Sequence, residues 1–186
     1  MKRKLLSFLL PVLACPALSH AQLSLTDAIS RVISEEPTRL LRLRGELLAN
    51  NPEVVDYESL LQLTGSDRCY VSVFNTPGDT TACWKAEYPD LEDFAAAKKA
   101  FRGLYESLRT ARITRLHPGT VYRLSGDFLE ADETKQTNSI EFTLDPAGED
   151  FQKIRVQILL TYVMPEWHLS VQVYEKPGEL GMMSTR

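Results

Sequence analysis

The chain has 186 residues, of which 21 are Lys or Arg and 25 are Asp or Glu, for a formal net charge of −4. This length allows one sizeable hydrophobic core. The acidic balance argues against nucleic acid or an anionic membrane as the main partner.

The first 21 residues carry the marks of an export signal. Lys2, Arg3 and Lys4 precede an apolar run over 5–14 broken only by Ser7 and Pro11, and Ser19-His20-Ala21 places small residues where a signal peptidase reads. Ten residues are too few to span a bilayer as a helix. The expectation is a signal peptide over 1–21 and an exported chain, periplasmic or secreted. The alternative is a lipoprotein anchored through Cys15, although Leu13 and Pro16 fit the acylation motif poorly. Removing 21 residues from 186 leaves 165, and the loss of three basic residues brings the net charge to −7. No later stretch is apolar enough to be transmembrane. Two cysteines remain, Cys69 and Cys83, which in an oxidising compartment predict a disulfide. The loop it would close is worth about 3 kcal/mol in chain entropy.

In chain order, Ser24 with Asp27 reads as a capping box. Leu25, Ile29, Val32 and Ile33 continue it as a helix that ends at Pro37. Residues 39–48 fit a strand with Leu41, Leu43 and Leu47 on one face better than a helix weakened by Gly45. Asn50-Asn51-Pro52 is turn chemistry, and 55–63 reads as a strand. Residues 69–74 and 80–86 form a hairpin whose cysteines sit seven residues on either side of Thr76, facing each other across it. A long helix follows, capped at Pro89-Asp90, with Leu91, Phe94, Phe101, Leu104, Tyr105 and Leu108 as its apolar stripe. It places Glu92 and Asp93 in its first turn and Arg109 and Arg112 in its last.

From His117-Pro118-Gly119 onward the chain is a meander of strands over 121–129, 139–144 and a final hairpin. In that hairpin Ile154, Val156, Ile158, Leu160 and Tyr162 alternate with polar residues, and Trp167, Leu169, Val171 and Val173 do the same. A turn centred on Pro165-Glu166 puts Tyr162 opposite Leu169, Leu160 opposite Val171 and Ile158 opposite Val173. The predicted class is α+β, with antiparallel sheet and helices packed on one face. Residues 22–176 form one domain and 177–186 a flexible tail. The two halves, 24–88 and 89–176, share the order helix then four strands, as a duplication would leave. Antiparallel meanders covered by a helix also recur through packing physics alone.

No catalytic or phosphate-binding motif is present, and no cofactor or metal is implied. His117 sits at a helix end, and His168 on a polar face beside a turn. Lys98, Arg102, Arg109 and Arg112 form a basic strip that reads as solvated surface, or as a dock for an acidic partner or lipid phosphate. If Tyr122, Leu124, Phe128, Ile140, Phe142, Ile154 and Ile158 pack under the helices, the opposite face carries Arg123, Ser125, Asp127, Glu141, Thr143, Arg155, Gln157, Ser170, Gln172 and Tyr174. The functional expectation is a non-enzymatic extracytoplasmic binding module holding a protein or peptide on this face or on the rim of the last hairpin. Its site residues are Arg123, Asp127, Glu141, Arg155, His168, Gln172 and Tyr174. The alternative is a small secreted hydrolase or isomerase using Asp127 with Glu141 as an acid/base pair.

Overall fold

The computed structural model describes residues 22–76, 79–148 and 151–176. The export signal, the Cys15 anchor and the tail from 177 lie outside them. The elements in order are β1 (Gln22–Leu23), α1 (Leu25–Glu35), β2 (Arg44–Asn50), β3 (Val54–Ser59), β4 (Gln62–Leu63), β5 (Arg68–Thr76), β6 (Asp79–Glu87), α2 (Phe94–Thr110), β7 (Arg112–Ile113), β8 (Tyr122–Ser125), β9 (Thr137–Asp145), β10 (Ile154–Val163) and β11 (Glu166–Glu175). The fold is α+β. A nine-stranded antiparallel sheet runs β2-β3-β5-β6-β11-β10-β9-β8-β7, and β1 and β4 form a separate parallel pair. The two meanders therefore meet at their last strands, β6 and β11, in the middle of one sheet.

Local chemistry accounts for the helices. Ser24 caps α1 by accepting from the Asp27 N–H at 3.2 Å, while its hydroxyl donates back to the Asp27 carboxylate at 2.7 Å. Ala28, Ile29, Val32 and Ile33 are its buried stripe. In α2 the cap is Asp93, accepting from the Ala96 N–H at 2.9 Å, so the helix starts three residues later than Asp90. Leu91 is not helical; it bridges to Trp167 as an extra piece of sheet. Arg112 also leaves the helix for β7. Residues 39–43 depart from the expected strand. Leu41–Leu43 is a 3-10 turn, and Arg39 and Leu40 adopt φ of 53° and 57°. Leu40 is buried, and that burial offsets a left-handed conformation costing about 1–3 kcal/mol. Only Leu43 of the three expected leucines turns inward; Leu41 and Leu47 are exposed.

Both helices pack on the apolar face of the sheet, in one core cluster. A single rung of ladder partners, Tyr57, Val71, Trp84, Val173, Val156 and Phe142, crosses six strands through its middle. Trp84 is wholly buried and still keeps its polar atom satisfied, with Nε1 donating to Ser59 Oγ at 3.1 Å. Ser59 Oγ in turn donates to the Leu61 carbonyl at 2.8 Å and accepts from the Leu61 N–H. The largest aromatic of the core thereby holds the sharp bend between β3 and β4.

The final hairpin corrects the expected register. Met164-Pro165 is the connection, with Pro165 on a cis peptide bond, and Val163 pairs with Glu166. The turn comes one residue earlier than Pro165-Glu166, so each partner moves by two: Leu160 faces Leu169, Ile158 faces Val171 and Val156 faces Val173. A shift of two preserves which face each side chain occupies.

The disulfide expectation is overturned. In the β5–β6 hairpin Thr76 pairs with Asp79, so Cys69 lies opposite Ala86 and Cys83 opposite Ser72. The cysteines sit three rungs apart, roughly 10 Å along the strands, and an odd offset puts them on opposite faces. A disulfide needs Cα atoms within about 7 Å and converging side chains. Both thiols are free. Cys69 is buried with Val71 and Val73, and accepts from the Leu63 N–H at 3.4 Å. Cys83 points to the other face. Burial pushes both thiols up, Cys83 to about 12 despite the nearby Lys85. Denaturation without reductant followed by iodoacetamide should alkylate both Cys69 and Cys83. In the folded protein Cys83 should react far more slowly than a free thiol. An intact mass two units below the reduced chain would contradict this arrangement.

Candidate functional site

The face of the sheet away from the helices is built by the same ladder. One rung joins Glu58, Tyr70, Lys85, Gln172, Gln157 and Glu141 across six strands. The next joins Asp56, Ser72, Cys83, Tyr174 and Arg155 across five. Side chains from separate halves of the chain therefore form one surface, because β6 pairs with β11.

Two networks organise it. On β9–β11, Glu141 accepts from Tyr174 Oη at 2.8 Å and from Arg155 Nε at 3.1 Å. Arg155 also donates to the Gln152 and Ile154 carbonyls, and its side chain is only 15% exposed. Burial and the neighbouring Glu141 carboxylate raise the Tyr174 phenol, so it stays a donor at any ordinary pH. Beside it Gln172 donates to Gln157 at 2.6 Å. On β5–β6, Glu87 receives Arg68 Nε at 2.5 Å, Tyr70 Oη at 2.9 Å and Lys85 Nζ at 3.0 Å. Burial would raise the Glu87 carboxyl, but these three donors hold it below the usual range. Arg68 and Lys85 also lie over the Tyr70 ring, 5.6 and 5.7 Å from its centre.

The second network opens into a cleft of about 590 Å³. Leu159 and Ser170 line it, with the charged groups Arg68, Lys85, Glu87 and Asp90 around them. His168 lines it too, its Nδ1 2.5 Å from Asp90 Oδ1. This contact ties the start of β11 to the segment before α2.

Of the expected site residues, Glu141, Arg155, Gln172 and Tyr174 come together as one network, and His168 stands at the cleft. Arg123 lies on β8 opposite Arg112 and Asp145, and Asp127 lies past the end of β8; both are exposed and neither joins the network. Asp127 and Glu141 form no acid/base pair, since the Glu141 carboxylate is engaged by Tyr174 and Arg155. Three of the four residues of the basic strip are already paired, Lys98 and Arg102 with Glu130 and Arg109 with Glu106, and the fourth, Arg112, has left the helix for β7. Sequence reasoning missed Tyr70, Lys85 and Glu87. Their alternation with Cys69, Val71, Trp84 and Ala86 was visible, but nothing local says that β6 lies beside β11. Among the described residues no group of three His, Cys, Asp or Glu is placed to hold a metal, and no helix is long and apolar enough to cross a membrane.

Comparison with protein-family models, with curated proteins and with solved structures gives no match.

Proposed function

We propose that the chain is a non-enzymatic binding module that acts outside the cytoplasm and holds a protein or peptide on the open face of its sheet. The observation that carries this reading is the pair of unbroken polar and aromatic rungs leading to the cleft beside Glu87. A rigid sheet holds donors, acceptors and aromatic rings in place across six strands, and ordering them on binding costs little. Tyr and Arg, the residue types that anchor protein interfaces, recur here as Tyr70, Tyr174, Arg68 and Arg155. A catalytic reading has less to draw on: the thiol is protonated at neutral pH, and the two leading carboxylates do not work as a pair. Export rests on the basic and apolar pattern of residues 1–21.

The test is capture from envelope extract by immobilised protein. Ser139→Arg and Thr143→Arg each put a bulky cation on an exposed open-face position of β9. Each should change stability by about 0.5 kcal/mol or less and reduce capture about tenfold. Lys99→Glu, on the exposed side of α2, should leave capture unchanged. Capture that survives both arginine variants but fails with Lys99→Glu would move the site to the helical face.

A further inference from the structure

A second cleft, of about 580 Å³, shares no residue with the first. It lies between α1, the turn carrying Arg42, the bend between β3 and β4, and the segment after β7. Its volume is within the usual range for small-molecule sites, about 300–1,000 Å³.

Three guanidinium groups line it, from Arg31, Arg42 and Arg115. Asp27 is the one carboxylate in its wall, and it is held by the Ser24 hydroxyl. Beneath lies Glu35, whose side chain is 5% exposed and whose Oε1 is 3.1 Å from Arg31 and 3.9 Å from Arg42. Two carboxylates against three guanidinium groups leave the cleft positive, in a chain whose overall charge is negative. Arg115 makes no hydrogen bond or ion pair among the described residues. Ser30 supplies a second and separate observation. It is only 5% exposed and lines the cleft, and its hydroxyl makes no hydrogen bond among the described residues. Arg44 Nε is the one enclosed polar side-chain atom without a partner among the described residues, so the Ser30 oxygen is reached from the cleft and is free to bond a ligand there. Ser34 lines it too, its hydroxyl donating to the Arg31 carbonyl at 2.7 Å, and the apolar part of the wall is Leu23, Leu43, Leu60 and Leu61. Leu60 is half exposed, an open apolar step at the cleft.

We infer that this cleft binds a small anionic amphiphile, its carboxylate or phosphate head against Arg115, Arg42 and the Ser30 hydroxyl and its alkyl chain along the leucines. Guanidinium forks match such oxyanions in both geometry and charge, and the leucine wall takes the chain out of water. The head could come from a free amphiphile or from a lipid in a bilayer. The inference is independent of the open-face reading, because the two sites lie on different elements.

The experiment titrates decyl phosphate, kept below micelle formation, into the purified protein by calorimetry, with inorganic phosphate and decanol as half-ligands. One site is expected, with decyl phosphate bound at least about tenfold more tightly than either half. Arg115→Gln should weaken it about five- to tenfold and Leu60→Asn about threefold. Both replace exposed residues, so their urea midpoints should stay at wild type and an affinity loss cannot be mistaken for unfolding. Flotation with phosphatidylglycerol vesicles separates the sources. Arg115-dependent flotation, absent with phosphatidylcholine, assigns the head to a bilayer lipid, whereas calorimetric binding without flotation assigns a free amphiphile. Decyl phosphate bound no better than decanol, or bound equally by Arg115→Gln, overturns the inference.

Discussion

Val171→Asp should unfold the protein, or cost it about 4 kcal/mol or more. Val171 has no exposed surface and sits between Ile158 and Ala86 on the core face. The variant loses the burial of an apolar side chain and places a carboxylate where no donor can reach it. A typical domain is held by 5–15 kcal/mol, so most of that margin would go. Gln172→Asp, one residue along, gives the opposite result. Gln172 faces the open side, between Lys85 and Gln157. Its replacement loses one amide hydrogen bond and gains a carboxylate beside a lysine, a net change of about 1 kcal/mol or less. The same side chain enters the same strand in both, so strand propensity and net charge largely cancel. Urea melts of the two variants read the difference directly. A stable Val171→Asp with an unfolded Gln172→Asp would mean that the faces of the sheet are reversed.

The second large effect is expected at Gly126. A Cβ there would stand 2.5 Å from the Glu141 carbonyl oxygen and 2.9 and 3.1 Å from two ring atoms of Phe142. The oxygen belongs to the backbone of β9, and Phe142 is wholly buried, so neither can move aside cheaply. Gly126→Ala should therefore destabilise by about 2–3 kcal/mol through overpacking. It should also loosen the hydrogen bond from Tyr105 Oη to the Gly126 carbonyl, now 3.3 Å. Gly103→Ala is the matched opposite. It lies inside α2 with open space around the added methyl, and removing a helical glycine should stabilise by about 0.5–1 kcal/mol. Thermal melts should move in opposite directions. A Gly126→Ala variant as stable as wild type would mean that the segment after β8 does not lie against β9 as described.

Much of the architecture was legible because alternation is a local property. In β9 and β10, apolar residues at every second position are enough to say which side chains go under a helix. That reading survived a turn displaced by one residue, since the pairing moved by two and parity was kept. The Ser24 cap was equally legible, because its partner is three residues away. The long helix was read correctly in its stripe but not at its ends. Leu91 fits the stripe, yet its backbone is claimed by Trp167, a residue more than seventy positions on.

The candidate site was legible only on its C-terminal half. Glu141, Arg155, Gln172 and Tyr174 were found together because three consecutive strands of a meander must neighbour one another. Asp127 and Arg123 were grouped with them by parity, which assigns a face but not a distance along the strand. The disulfide failed for a related reason. Equal spacing of Cys69 and Cys83 about Thr76 assumes where the hairpin turns, and with Thr76 paired to Asp79 the two cysteines fall three rungs apart, an odd offset that sets them on opposite faces.

The sequence alone therefore determined which side chains of β9, β10 and β11 turn inward, the apolar stripes of the two helices, and the α+β class, because periodicity and capping act within a few residues. Tertiary structure alone decided that β6 pairs with β11, that Tyr70, Lys85 and Glu87 join the open face, and that Arg31, Arg42 and Arg115 converge on one cleft. Backbone ladder bonds are chemically alike from strand to strand. The choice of neighbour is made only when the whole apolar face, centred on Trp84, is buried at once.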